Sequence, residues 1–293
     1  MRNVRTLAKS IGGTTTNVAV AAARLGHHVA TVTKVGDDLF GRDVVHSLEH
    51  DFGVDATFVT THPSLKTALA FVELDPPEDP TIVFYREPRA PDSELLPADL
   101  ADVPIEDVPI LWVPASQFAV EPTRSTTRHA LTRRSRRAHT VLDLDWRPTF
   151  WQSETHAREH IAPVLHEVSI AVGNRTECRI AVGSDDPDIA ADRLLACGLD
   201  AAIVKLGADG VMVALPDGTR ETVPAFRVDV VCGLGAGDAF GGALCHGLLS
   251  GWSIVESVRY GNAAGAIVAG RLRCADDMPT LDEIDALIRA GSV

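Results

Sequence analysis

Residues 235–240, which read G-A-G-D-A-F, most constrain the fold because they stand directly before a helical pattern of apolar residues. Small residues at a helix start leave backbone N–H groups free, and the helix dipole adds partial positive charge there. Such a cradle suits a phosphate or an oxyanion. Asp238 would repel a merely bound phosphate, but it fits a base that deprotonates a nucleophile attacking phosphorus. The simpler interpretation is a helix cap after a tight turn.

Two familiar phosphate-binding loops do not fit this stretch. A dinucleotide fingerprint needs a glycine three residues after its second glycine, where this chain has Phe240. A Walker loop needs a Gly-Lys pair, and the sequence contains none.

Charge and cysteine content narrow the function classes. The net charge of -13 argues against nucleic acid as a partner. Five scattered cysteines without a C-x-x-C pair predict reduced thiols, a cytoplasmic location and no zinc site. No apolar run approaches the roughly 20 residues that a membrane span needs. One basic run is interpreted as a solvated helix face: Arg133, Arg134, Arg136 and Arg137.

Alternation of strand-like and helical stretches predicts an α/β fold with a parallel sheet, formed by one domain over residues 1–293. Between two such stretches lie three short strand-like runs with polar breaks. We expect these runs, within residues 54–90, to form an antiparallel flap over a site, which would exclude water. They are residues 56–60, 67–73 and 81–86.

The G-A-G-D-A-F stretch resembles the C-terminal signature of ribokinase-like (PfkB-type) carbohydrate kinases. This resemblance implies a central, mostly parallel sheet flanked by helices, with a small antiparallel β lid, and it implies ATP and magnesium (Mg2+) as cofactors. It also implies that Gly235, Ala236 and Gly237 form an anion hole and that Asp238 is the catalytic base. The lid often pairs subunits in this family, so a homodimer through the lid is expected.

An N-terminal signature is also similar, at Gly12, Gly13 and Asn17, which implies contacts to the sugar. A tight turn into a helix is the structural alternative. Family members normally begin with a further strand and a loop whose aspartate binds sugar hydroxyls, and the ten residues before Ile11 leave no room for them. Either the true start lies upstream of Met1, or the protein lacks this strand and the ligand that its loop supplies. The second case predicts a sheet edge or gap at this point and keeps a non-catalytic sugar or nucleotide binder open as an alternative.

Asn174 and Glu177 match the family's N-x-x-E element, which implies that they position magnesium and phosphate. The same spacing also predicts a helix cap with its capping-box partner, and both interpretations are compatible.

The K-x-G-x-x-G stretch at Lys205, Gly207 and Gly210 resembles a segment beside the nucleotide, and Asn262 matches a nucleotide-side position. The small residues at 261–266 permit close approach of an adenine or of another helix, so helix packing alone would explain this stretch. Family members usually carry Asp-Thr where this chain has Cys232 and Gly233, so activation by a monovalent cation is doubtful.

Residues 84–92 and 141–148 resemble one subgroup, the 5-dehydro-2-deoxygluconokinases of inositol breakdown. Their substrate is a sugar acid, so Arg86 is a candidate for its carboxylate, unless it pairs with Glu87 or a surface acid. The alternative is the same chemistry on 2-keto-3-deoxygluconate, fructose or ribose.

Asp143, Asp145 and Arg147 stand at a predicted strand end, where side chains face the ligand crevice of α/β sheets, so we expect them to point toward the site. Metal binding stays open for the two acids, and Asp143 is interpreted as structural.

Overall fold

One long sheet carries the C-terminal two thirds of the chain. The computed structural model describes residues 6–74, 76–77, 80–137 and 139–291. The strands are β1 (Thr33–Gly36), β2 (Val59–His62), β3 (Leu69–Glu73), β4 (Thr81–Tyr85), β5 (Leu111–Pro114), β6 (Thr140–Asp143), β7 (Ile170–Asn174), β8 (Ala201–Lys205), β9 (Val211–Ala214) and β10 (Arg220–Val223). The helices are α1 (Thr14–Arg24), α2 (Leu39–His46), α3 (Thr123–Arg134), α4 (Glu154–Ile161), α5 (Arg175–Val182), α6 (Pro187–Ala196), α7 (Ala236–Leu249), α8 (Ile254–Ala269) and α9 (Leu281–Ala290).

The long sheet has the order β10-β9-β8-β7-β6-β5. Strands β5 to β8 are parallel, whereas β9 runs antiparallel to β8 and β10 antiparallel to β9. The central strands are buried along nearly their whole length because both faces are covered. Residues of α4, α5 and α6 pack on one face, and residues of α7 pack on the other. The predicted mostly parallel sheet flanked by helices is confirmed.

Strands β1 and β2 form a separate parallel pair, so the prediction that residues 56–60 belong to the flap is wrong. The side chain of Val59 packs against the core around α1 rather than over the site. A short β-branched run does not reveal its pairing partner, because the alternation is the same in either sheet. Among the described residues no ladder joins β1 to β5, so the expected break in the sheet is present.

Strands β3 and β4 form the predicted antiparallel lid. Their register pairs Phe71 with Val83 and Val72 with Ile82. Side chains alternate between the two faces of the ribbon, so Ile82 and Phe84 face the molecule and Val83 and Tyr85 face outward.

Helix α7 lies between α1 and α8, and glycines set the close approach. A Cβ on Gly261 would lie 2.6 Å from the Phe240 ring, and a Cβ on Gly241 would lie 2.8 Å from the Trp112 ring. The small residues of α8 therefore serve helix packing, which was one of the two alternatives at sequence level.

The basic run at the end of α3 is not a uniformly solvated face, so that interpretation is wrong. Arg134 is only 1% exposed, and its guanidinium donates to the carbonyl oxygens of Ile105, Val108 and Pro109. A buried arginine persists where it satisfies a loop's carbonyl groups. The five cysteines are free thiols. Within the described ranges, no helix combines the length and apolar character that crossing a bilayer requires.

Candidate active site

Polar side chains gather where the parallel strands end. Ser116 follows β5, Asp145 follows β6, Asn174 ends β7 and Lys205 ends β8. Because the carboxyl ends of parallel strands meet at one edge, four segments distant in sequence contribute to one site.

Helix α7 begins at this edge, and among the described residues no side chain caps its first turn. Gly235 is the N-cap residue at φ 85°, a left-handed conformation that favours glycine. A Cβ there would lie 3.1 Å from the Cys274 Sγ, so the space also requires glycine. A Cβ on Gly237 would lie 3.4 Å from the Lys205 Nζ, which places the first turn beside the cation at the end of β8. The free N–H groups of this turn are available to an anion.

Asp238 lies in that first turn and is held from another helix. The Asn17 Nδ2 donates to its Oδ2 at 2.6 Å, and both residues are buried. Burial raises the pKa of Asp238 to about 6, although the bond from Asn17 and the charges of Arg147 and Lys205 oppose the rise. A carboxylate with a pKa just below neutrality is ionised at pH 7 yet basic enough to accept a proton.

Asn17 brings an acceptor to the same place. Its Oδ1 is buried without a hydrogen-bond partner in the described residues. An unpartnered buried oxygen indicates a ligand donor, because leaving it unpaired costs free energy.

Lys205 sits among carboxylates. Burial alone would lower the pKa of Lys205, but Glu177, Asp143, Asp238 and Asp145 outweigh burial and raise it. Its Nζ lies 4.0 Å from the Glu177 Oε2. The lysine therefore remains a cation at the junction of β8 and α7.

Arg147 is oriented by a buried acid. Its Nε lies 2.9 Å from the Asp145 Oδ1 in an ion pair, and the Ser116 hydroxyl donates to the Oδ2 at 2.6 Å. Asp145 is 5% exposed. Asp143, two residues earlier, is also buried, and burial raises its pKa to about 8.

Asn174 and Glu177 form a complete capping box on α5. The Asn174 Oδ1 accepts from the Glu177 N–H at 2.9 Å, and the Glu177 Oε2 accepts from the Asn174 N–H at 2.6 Å. The structural interpretation is thus confirmed for both. Within the described residues, no group of three or more His, Cys, Asp or Glu side chains is arranged to hold a metal.

A cavity of about 700 Å³ opens over this edge. The lid supplies one wall through Ile82 and Phe84, and the strand ends supply the other. Predicted site residues in its lining are Arg147, Asn174, Lys205 and Gly207. We call it the transfer cavity.

Arg86 lies elsewhere, in the wall of a second cavity of about 550 Å³. Its guanidinium donates to Asp92 at 2.7 Å and to Ser93 at 3.0 Å, and it stacks over the Phe150 ring. The acid partner is Asp92, six residues further along the chain. Thr149 lines both cavities, so the two adjoin.

The remaining predicted glycines differ in their surroundings. A Cβ on Gly12 or on Gly207 would meet nothing within 4 Å, so both backbones stand open. Gly13 adopts φ 106° as the N-cap of α1. Gly210 adopts φ 97° directly against the Val223 carbonyl, so its role in the fold is to let that strand approach.

Asn262 holds backbone rather than facing the transfer cavity. Its Nδ2 donates to the carbonyl oxygens of Val223 and Pro224 at 3.1 Å. The amide thereby secures the segment that leaves β10, as the packing alternative allowed.

Ser116 was not among the residues expected at the site, whereas Asp145 was. Asp145 carried a usable signal, since it stands at a strand end two residues before Arg147. Ser116 carried none, because its role depends on the neighbouring strand.

Comparison with known proteins agrees with this architecture. Residues 1–281 match the model of the pfkB family carbohydrate kinases. The 5-dehydro-2-deoxygluconokinase of Geobacillus thermodenitrificans (strain NG80-2) is 32% identical over 295 residues, covering 99% of this chain and 87% of that protein. The namesake of Bacillus subtilis (strain 168) is 30% identical over 298 residues, covering 100% of this chain and 90% of the relative.

Solved structures are similar over the same extent. A fructokinase from Vibrio cholerae O395, solved with fructose, ADP and calcium, has a TM-score of 0.85 at 25% identity, with 94% of this chain and 90% of that one covered. A fructokinase with bound ATP from Xylella fastidiosa has a TM-score of 0.86 at 26% identity, with 96% and 91% covered. The fold, the strand-end site and these matches together show that the chain belongs to the pfkB family and is an ATP-dependent carbohydrate kinase.

Proposed function

We propose that this enzyme transfers the γ-phosphoryl group of ATP to the primary hydroxyl of 5-dehydro-2-deoxy-D-gluconate and yields the 6-phosphate. Relatives of that name match the chain over nearly its whole length. The observation that carries the chemistry is the buried Asp238 carboxylate, fixed by Asn17 in the uncapped first turn of α7.

Each group at the start of α7 has a role in the transfer. Asp238 accepts the proton of the attacking hydroxyl through its carboxylate. The N–H groups of Gly235, Ala236 and Gly237 stabilise negative charge on the transferring phosphoryl oxygens. Lys205 adds a fixed positive charge beside the same turn.

The acceptor binds between the N-terminal turn and the strand ends. Gly12 and Gly13 present open backbone, and the Asn17 Oδ1 accepts from a sugar hydroxyl. Arg147, in the transfer cavity, meets the anionic groups there. Arg86 is a second candidate for the carboxylate, reached only if the acceptor extends past Thr149 or Asp92 releases it.

Asn174, Lys205 and Gly207 in the cavity wall contact the nucleotide. Gly210 and Asn262 support this side of the site through the backbone segments that they hold.

Glu177 and Asn174 suit magnesium that arrives on the nucleotide and keeps most of its waters. The described residues offer a carboxylate at this site but no all-protein cage for the ion. When bound, the metal neutralises phosphate charge. We expect no activation by potassium, given Cys232 and Gly233 in the preceding loop.

The outer face of the lid is the proposed contact between two copies. Val83 and Tyr85 are 50% and 60% exposed on that face, beside Phe71. Exposed apolar patches on a ribbon are typical of protein contacts. Sedimentation of the protein and of Val83→Asp tests this, with a dimer that dissociates in the variant expected and a monomeric parent contradicting it.

Free thiols throughout support a cytoplasmic location. Fractionation of cells that produce the chain would check it, with the protein expected beside cytoplasmic markers.

An acceptor panel tests the substrate. ATP consumption is measured with 5-dehydro-2-deoxy-D-gluconate, 2-keto-3-deoxygluconate, fructose and ribose. We expect the highest kcat/KM with the first, and Arg147→Met to weaken acidic acceptors more than neutral ones. A higher kcat/KM with fructose or ribose would overturn the substrate while leaving the kinase chemistry in place.

A further inference from the structure

Three residues that follow two neighbouring strands form a chain of polar contacts around one buried carboxylate. Ser116 stands just beyond β5, and Asp145 and Arg147 stand just beyond β6. Since these strands are parallel and paired, the hydroxyl and the guanidinium reach opposite oxygens of one carboxylate.

The carboxylate is engaged on both sides and is not itself open to the cavity. The Asp145 side chain is 4% exposed, whereas that of Arg147 is 31% exposed and lines the transfer cavity. Arginine carries five N–H donors in a rigid plane, and its Nε edge forms an ion pair with Asp145 at 2.9 Å. Holding that edge fixes the plane in which the terminal nitrogens point.

The Ser116 hydroxyl in turn restricts the rotation of the Asp145 carboxylate. A carboxylate held at one oxygen only can rotate about its Cβ–Cγ bond, and the arginine would follow it. The bond at 2.6 Å from Ser116 removes that freedom. Charge-assisted bonds of this kind are short and directional.

We propose that Ser116 and Asp145 are positioning residues that aim the Arg147 guanidinium at the anionic part of the bound substrates. This inference rests on the proposed role of Arg147 in substrate binding. It assigns a function to a serine that lines the second cavity.

A double-mutant cycle tests the positioning role. Ser116→Ala should raise the KM of the acceptor about 10-fold, the factor expected for a bond that orders a charged group. The same change in an Arg147→Met background should have no further effect on kcat/KM, because the guanidinium that Ser116 and Asp145 orient is absent. Ser116→Thr keeps the hydroxyl and should restore the parent KM. Asp145→Asn should behave like Ser116→Ala and also lose its effect in the Arg147→Met background.

Ser153→Ala is the matched control, because it removes a serine hydroxyl that caps α4 without touching Asp145. Its KM should be that of the parent while its unfolding temperature falls. Ser116 effects that add to those of Arg147→Met, or that Thr does not rescue, would overturn positioning and leave a purely structural bond. If Ser116→Ala does not fold, the Asp145→Asn cycle decides alone. Arg147→Met kinetics equal to the parent would instead refute the proposed role of Arg147 and with it this inference.

Discussion

Helices α5 and α7 begin alike in sequence and differently in structure. Each has an acid at the third helical position, Glu177 in one and Asp238 in the other. In α5 the N-cap is Asn174, and the two side chains close a capping box on their own helix. In α7 the N-cap is Gly235, which has no side chain to offer, and Asp238 is held by Asn17 from α1.

The difference shows what a helix start is used for. At the N-terminus of α5, the side chains of the capping box satisfy the helix's own N–H groups and stabilise it locally. The α7 end leaves them unsatisfied by side chains and keeps a buried charge beside them, which costs stability and suits an anion in transfer.

Among the variants considered, Asp238→Asn at the start of α7 should have the largest effect on turnover. We expect turnover to fall about 10³-fold, as for loss of a general base, while ATP still binds. The variant should also unfold at a higher temperature at pH 7. The folded pKa of about 6 lies above the ordinary 3.8, a difference of about two units or about 3 kcal/mol.

The sign of that stability effect is checkable. A raised folded pKa means that the native state loses stability as the pH rises from about 4 through about 6. The gain in Asp238→Asn should therefore be present at pH 7 and absent near pH 4 in thermal unfolding. Asp209→Asn, at an exposed acid beside Gly207, is the control and should retain turnover. Persistent turnover in Asp238→Asn would show that another group is the base.

Gly235→Ala tests whether the uncapped turn must keep its shape. The methyl group meets Cys274 at 3.1 Å and strains a residue at φ 85°, so the N–H groups shift. Loss of one such donor typically lowers kcat by about 10²-fold. Gly218→Ala imposes similar strain at φ 93° with no atom within 4 Å, so it should lower stability without lowering kcat. Equal kinetics in the two variants would contradict the anion hole.

The pH dependence of kcat/KM tests how Asn17 of α1 affects Asp238. Since Asp238 must be ionised, kcat/KM should fall about tenfold per pH unit below about 6. Asn17→Ala removes a bond that lowers the pKa of Asp238, so the acid limb should move to higher pH. Rates measured from pH 4.5 to 8 would show it, and a limb that stays in place would separate Asn17 from the base.

Asn174→Ala tests the capped helix and should have the smallest effect. Loss of the cap costs about 1 kcal/mol of stability, and we expect the KM for ATP to rise several-fold. Thr280→Ala removes an equivalent capping box on α9, far from the transfer cavity, and should lower stability alone. Identical ATP kinetics in the two variants would show that Asn174 acts only as a helix cap and does not contact the nucleotide.

Local patterns predicted much of the chain well. The capping box at Asn174 follows from spacing, and the small-residue turn before α7 lies where G-A-G-D indicates. Each depends on atoms within about four residues of one another, which sequence spacing specifies directly.

Predictions that needed a distant partner were less secure. The run at residues 56–60 pairs with β1 rather than with the lid, and Arg134 turns inward to loop carbonyl groups. Arg86 was correctly given an acid partner as an alternative, yet nothing local indicated the separate cavity that it borders.

The sequence by itself determined the family, the helix starts and the acid that stands at the α7 turn. Only the tertiary structure decided that Asn17, 221 residues away, holds this acid, and that Ser116 and Arg147 share one carboxylate. The physical reason is that atoms close in sequence form caps and turns. In contrast, the burial, the pKa and the orientation of a side chain depend on groups that only tertiary packing brings together.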